Sequence, residues 1–141
     1  MGFSEQMNIT LRAHERLFIN GAVIRADRRV TLELLNDVVF LLENHVMQAA
    51  EATTPLRQIY FVTQVILMEG RATEDTRKLA SEFVEKALST VQNQDLIEGL
   101  GRVRSLFERE RYFEVLKSLR LMYPLEAREL EGCDQPKNNA A

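Results

Sequence analysis

Glu51-Ala52-Thr53-Thr54-Pro55 decides the fold, because the hydrophobic rhythm differs on its two sides. A threonine hydroxyl at the N-cap accepts from an otherwise unpaired helix amide. A proline at the first helical position has the right φ and lacks a donor the helix would not use. The stretch therefore starts a helix. The residues before it alternate with period two, and those after it recur every three or four positions.

Working upstream, Asn8-Ile9-Thr10-Leu11-Arg12-Ala13 reads as a half-buried strand with Ile9, Leu11 and Ala13 on one face. Leu17-Phe18-Ile19 and Ala22-Val23-Ile24 flank Asn20-Gly21, a pair suited to the two positive φ values of a type I′ turn, so they form a hairpin. Val30 to Leu34 alternates again, Asn36-Asp37 marks a further turn, and Val38 to Leu42 is a β-branched and aromatic run. These segments predict an antiparallel β-meander of about five short strands over 8–50, preceded by a flexible N-terminus, 1–7.

Downstream, Leu56 to Met68 reads as a helix apolar on several sides and stopped at Gly70. Thr73 caps a second helix with Leu79, Phe83, Val84, Ala87, Leu88 and Val91 on one face, and Asn93 caps a third with Leu96, Leu100, Val103 and Phe107 inside. After a break near 108–111, a fourth carries Tyr112, Leu116, Leu119 and Tyr123 inward, and Pro124 is expected to kink or end it. The helical part is thus a bundle of about four helices over 51–131 that shares its core with the strands, and 132–141 reads as a disordered tail. Strands first and helices after, without βαβ alternation, predict an α+β fold.

A chain of 141 residues, 45% hydrophobic and 28% charged, has room for one core and none for a multidomain enzyme. No apolar run approaches the ~18 residues of a spanning helix. The start has no signal-peptide pattern, and the single cysteine, Cys133, suits a reducing compartment, so a cytoplasmic location is expected. The formal charge of −3 gives no general attraction to phosphate or to an anionic membrane. Any nucleic-acid role must come from a local patch.

Few residues carry chemistry. His14 and His45 stand far apart and unaccompanied, Cys133 has no base near it in sequence, and there is no phosphate loop or dinucleotide fingerprint. No cofactor, no metal and no enzymatic activity are expected. Arg25, Arg28 and Arg29 on a tight turn would cluster guanidiniums suited to phosphates, with Arg12 and Arg16 on neighbouring strands. They read equally well as solvated turn charges balanced in part by Asp27. A second basic window, Arg102 to Arg120, is broken by Glu108, Glu110 and Glu114. Within it Arg111, Tyr112 and Arg120, together with Tyr123, are candidates for a surface that docks a partner protein, the alternative being completion of the core.

Three stretches carry a family likeness: ITLRAHERLFINGAVIRADRRVTLELLNDVVFLLENHVM (9–47), QAAEATTPLRQIYF (48–61) and FERERYFEVLKSLRLMYPLE (107–126). Together, INGAV, the arginine turn DRR and EATTP leading into RQIYF make the chain resemble the FlbT family of flagellin mRNA regulators. His14 stands where that family usually has glycine, and Ala26 replaces its asparagine or glycine before Asp27. The resemblance implies a cytoplasmic post-transcriptional regulator that acts on the 5′ untranslated leader of flagellin mRNA, repressing or activating it. It also implies a functional link to FlaF, a flagellin-associated protein.

Placed beside the residues, this implication gives the expectation that Arg12, Arg16, Arg25, Arg28 and Arg29 touch the leader RNA. The rival expectation is a non-enzymatic adaptor that grips flagellin or FlaF through Arg111, Tyr112, Arg120 and Tyr123. The edge of a short sheet also invites self-pairing, which would make a homo-oligomer through the strand half.

Overall fold

Asn20 and Gly21 hold φ of 52° and 88°, the two positive values a type I′ turn requires, and they join β2 (Arg16–Ile19) to β3 (Ala22–Arg25). The structure, a computed structural model, describes residues 7–36, 38 and 40–134, with the side chains of 7 and 132–134 left aside. Around the hairpin lie β1 (Met7–Leu11), β4 (Val30–Leu34) and β5 (Phe40–Leu42), followed by α1 (Pro55–Glu69), α2 (Glu74–Thr90), α3 (Gln94–Glu108) and α4 (Tyr112–Asp134). The fold is α+β, five antiparallel strands and then four helices.

The strands form two sheets, ordered β1-β4 and β3-β2-β5, so only the hairpin pairs sequence neighbours. This departs from a sequential meander. In the first sheet Ile9 stands opposite Leu32 and Leu11 opposite Val30, while Thr10 faces Thr31 on the other side. Pairing two strands of the same alternation gives this sheet one apolar face, whereas the second sheet is apolar on both, with Leu17 and Phe40 on one and Phe18 and Leu41 on the other. Ile9 and Leu11 from the first sheet and Leu17 and Phe40 from the second bury one another. Phe113 of α4 reaches this cluster, its ring centroid 5.0 Å from that of Phe40. β3 is an edge strand with every residue exposed, Val23 and Ile24 among them.

The larger cluster belongs to the helices, with Leu56, Ile59, Ile66, Leu100, Leu116 and Leu119 fully buried, and it takes in Phe18, Leu41 and Met47 from the strand side. α1 starts as its cap dictates. Thr54 Oγ1 accepts from the Arg57 amide and donates to Glu126 Oε1 at 2.7 Å, and Glu126 Oε2 accepts from the Leu56 amide at 2.9 Å. A buried carboxylate of α4 thus satisfies orphan donors at the positive end of α1. The Gln64 side chain pairs with both the N–H and the C=O of Met47, each at 2.7 Å, fastening the linker to α1.

Several expectations need correction. Met7 belongs to β1, and Ala13 lies in an exposed turn instead of extending the strand. On α2 the buried stripe is Ala80, Val84 and Ala87, one position on from Leu79, which is exposed. His45 sits in a 3-10 turn, Glu43–His45, past the last strand. Pro124 does not end α4, which runs on through Gly132 and Cys133 to Asp134. Proline removes one amide bond, to the Arg120 carbonyl, and the anchoring of Glu126 to α1 holds the next turn in place. Asp37 of the second turn, 1–6 of the N-terminus and 135–141 of the tail lie outside the described residues.

His14 holds φ of 68° in the turn after β1. Left-handed backbone strains a side chain with a Cβ and suits glycine. His14→Gly should stabilise the fold by about 0.5–1 kcal/mol after allowing for the freedom glycine adds to the unfolded chain. Urea unfolding checks this through a raised midpoint at unchanged slope.

Candidate nucleic-acid interface

The chain passes twice between the two sheets at the same end, once over 12–15 from β1 to β2 and once over 26–29 from β3 to β4. The His14 amide donates to the Ala26 carbonyl at 2.7 Å, so the crossings lie side by side. Every arginine of the strand half falls on these crossings or at their ends. Leu11 opposite Val30 is the last pair of the first sheet, so Arg12 and Arg29 continue its two strands, and both line one cleft. Arg16 stands opposite Arg25 at the same end of the hairpin. Arg28 lies between, on the second crossing.

Three carboxylates temper the five charges. Glu43 accepts from the Arg16 amide at 2.7 Å and from its guanidinium at 3.3 Å. Those two hydrogen bonds, with the nearby charges of Arg16 and Arg25, pull the Glu43 carboxyl below its ordinary value. Arg28 meets Asp27 at 3.3 Å, and both side chains are about 80% exposed, at 79% and 80%. A pair that open contributes little and gives way readily to a phosphate. Glu15 accepts from the Arg12 amide at 3.0 Å and lines the cleft. Among the described residues the guanidiniums of Arg12, Arg25 and Arg29 have no carboxylate within 4.0 Å, so the end of the strand half keeps a positive excess on an acidic chain.

The cleft has a volume of about 520 Å³ and is walled by Thr10, Arg12, Glu15, Arg29, Leu42 and Asn44. Thr10, Glu15, Leu42 and Asn44 were not among the sequence candidates. Nothing local marks them, because the cleft exists only where β1 pairs with β4 and the start of the 3-10 turn after β5 comes alongside.

The second candidate surface is arranged differently. Tyr112 is buried in the core, edge-on to Phe107 at 5.0 Å, and burial raises its hydroxyl pKa. Arg111 pairs with Glu114 on the surface. Arg120 donates to Tyr60 Oη at 2.9 Å, and that hydroxyl donates to the His45 carbonyl at 2.7 Å. Tyr123 packs 6.2 Å from Tyr60, and the Arg57 guanidinium stacks 4.3 Å over its ring. Burial also raises the Tyr123 hydroxyl, which has no hydrogen-bond partner among the described residues. Thr54 with Glu126, Arg57 with Tyr123 and Tyr60 with Arg120 therefore form successive rungs between antiparallel α1 and α4. Three of the four candidate partner residues, Tyr112, Arg120 and Tyr123, are engaged within the fold.

The rung at Tyr60 has a consequence for pH. Partial burial, and then the positive charge of Arg120, lower the His45 pKa below 6.5, against a smaller opposing pull from Glu15. Below 6.5 the unfolded chain takes up a proton that the folded chain resists, so stability falls as pH drops from 6.5 towards the folded value. His45→Gln should flatten that part of the stability profile, measured by denaturant titration at a series of pH values. An unchanged slope would sink the assignment.

Among the described residues no helix is long and apolar enough to cross a membrane, and no three His, Cys, Asp or Glu side chains gather as metal ligands.

The family model described as flagellar protein FlbT matches residues 7–130. A Brucella anthropi protein named "Probable flagellum biosynthesis repressor protein FlbT" is 47% identical over 92% of this chain and 85% of its own. Proteins of the same name from Chelativorans sp. and Mesorhizobium japonicum are 46% and 41% identical, over 84% and 91% of this chain and 81% and 87% of theirs. No solved structure matches the chain. With the match running from the first strand nearly to the end of the last helix, across both crossings and the rungs between α1 and α4, this chain belongs to the FlbT family.

Proposed function

We propose that this chain is a cytoplasmic regulator of flagellum biosynthesis that binds the 5′ untranslated leader of flagellin mRNA and controls its translation or stability. The names of its relatives support a regulatory role in flagellum biosynthesis. One observation carries the nucleic-acid part. Two side-by-side crossings bring Arg12, Arg16, Arg25, Arg28 and Arg29 to one end of the strand half, and three of the five guanidiniums have no carboxylate partner among the described residues. Guanidiniums in such a group suit phosphates and unpaired bases.

The acidic balance of the rest of the chain shapes what such binding looks like. A molecule of net charge −3 repels RNA except where the arginines gather, so affinity should be selective and steeply salt-dependent. About four phosphate contacts to a single strand give a log-log slope near −3, at roughly 0.7 per contact. Fluorescence anisotropy of a labelled flagellin leader, titrated at several salt concentrations beside an unrelated RNA of equal length, measures this. A flat salt dependence, or equal affinity for both RNAs, would count against direct recognition.

An adaptor that holds flagellin or FlaF through α4 draws less support, since Tyr112, Arg120 and Tyr123 are engaged within the fold. Its signature would be a stoichiometric protein complex from a chain that ignores RNA.

A further inference from the structure

We propose that the cleft between Arg12, Glu15 and Arg29 holds one unpaired guanine base of the bound RNA. This rests on the RNA-binding reading above and adds what the site recognises. A volume of about 520 Å³ falls within the range of clefts that take small ligands, roughly 300–1,000 Å³.

The lining is wrong for phosphate alone and right for a base. Arg12 and Arg29 attract the backbone and offer planar guanidiniums on which a base stacks. Leu42 supplies an apolar wall, and Thr10 and Asn44 supply groups that donate or accept. Glu15 is the discriminating residue, since a carboxylate repels phosphate and accepts from N–H donors. Its Oε1 is fixed by the Arg12 amide at 3.0 Å, and among the described residues no cation lies within salt-bridge distance of it. The carboxylate is held in place with lone pairs unused.

Of the four bases only guanine presents two adjacent N–H donors, at N1 and N2, to match the two oxygens of a carboxylate. Adenine and cytosine offer one amino group beside a ring acceptor, and uracil offers one imide N–H between two carbonyls. Those acceptors would face the carboxylate oxygens and repel them.

The test uses the full chain and uridine octamers that carry one central guanosine, inosine, adenosine or cytidine, with the flagellin leader as reference. Anisotropy at low salt should show the guanosine oligomer bound roughly tenfold more tightly than the adenosine or cytidine ones, as one bidentate contact provides. Inosine, lacking the N2 amino group, should fall between. Glu15→Gln keeps an acceptor for the Arg12 amide while replacing one carboxylate oxygen with a donor, so it should erase the preference and weaken leader binding by about the tenfold that the guanine contact supplies. Should that variant not fold, the guanosine-to-inosine comparison on the wild type decides alone. Equal affinities, or a preference that Glu15→Gln leaves intact, with the leader still bound, would overturn the guanine site and spare the RNA-binding reading. Failure of the folded wild type to bind the leader or any oligomer would overturn both.

Discussion

Gly70→Ala is expected to lower the free energy of unfolding by about 2–4 kcal/mol, the sum of left-handed strain and a backbone clash. Gly70 ends α1 with φ of 85°, its amide donating to the Ile66 carbonyl at 2.9 Å. A Cβ added there would lie 2.8 Å from the carbonyl carbon of Asn20 and 2.8 Å from the amide nitrogen of Gly21. Both are main-chain atoms of the hairpin turn, held in type I′ geometry, so neither side yields cheaply. Gly21 makes the reciprocal approach, with its own would-be Cβ 3.1 Å from the Glu69 carbonyl oxygen. The tip of the hairpin is therefore seated on the C-terminus of the core helix, which orients the opposite end of that hairpin, where Arg16 and Arg25 stand. Gly101→Ala is the control, since nothing lies within 4 Å of a Cβ there and the residue is an exposed part of α3. It should stabilise by about 0.5–1 kcal/mol through helix propensity. Urea unfolding of the two variants, which make the same chemical change, should move the midpoint in opposite directions, and a Gly70→Ala protein as stable as wild type would refute the docking.

Replacing Arg28 and Arg29 together with alanine should weaken leader binding by about 2 kcal/mol, roughly thirtyfold, because each guanidinium supplies a charge-assisted contact. It should also make the salt slope shallower by about 1.4, at roughly 0.7 per lost phosphate contact. Stability should stay within about 0.5 kcal/mol of wild type, since among the described residues Arg28 is paired only to an exposed Asp27 and Arg29 lies on the surface of the cleft. Loss of affinity without loss of stability separates a binding surface from a structural one. Unchanged affinity and slope would remove both residues from the interface.

Local chemistry was the legible part of this fold. The Asn20-Gly21 turn, the caps at Thr54, Thr73 and Asn93, and the stop at Gly70 each depend on a few adjacent residues, and each stands where the residue types place it. The pairing of β1 with β4 was not legible, because no short turn joins them and the preference resides in apolar faces that meet only after the hairpin has folded out between them. Leu79 misled for a related reason: 79, 83 and 87 and 80, 84 and 87 are almost equally good helical stripes, and contact with the rest of the core selects the one with the small Ala80. Proline at 124 argued for a helix end, and the tie between Glu126 and the start of α1, 70 residues away in sequence from Leu56, prevailed.

The candidate site divides in the same way. The arginine turn was visible as residue types and Arg16 as a strand residue, whereas Arg12, expected on a strand, lies just past β1 on the first crossing. The cleft was not, since Arg12 meets Arg29 through the non-sequential sheet and Glu15 gains its meaning from lying between them. Tyr123 read equally well as core and as a docking surface, and Arg120 as a surface charge, because their partners, Arg57 and Tyr60, lie on another helix.

The central claim is that RNA lies across the two crossings, and ultraviolet crosslinking of the labelled flagellin leader to the full chain, followed by peptide mapping, tests it most directly. Crosslinks are expected in the peptides that hold 10–16 and 25–29, and excess unlabelled leader should protect them. Crosslinks confined to α4, with none on either crossing, would contradict it.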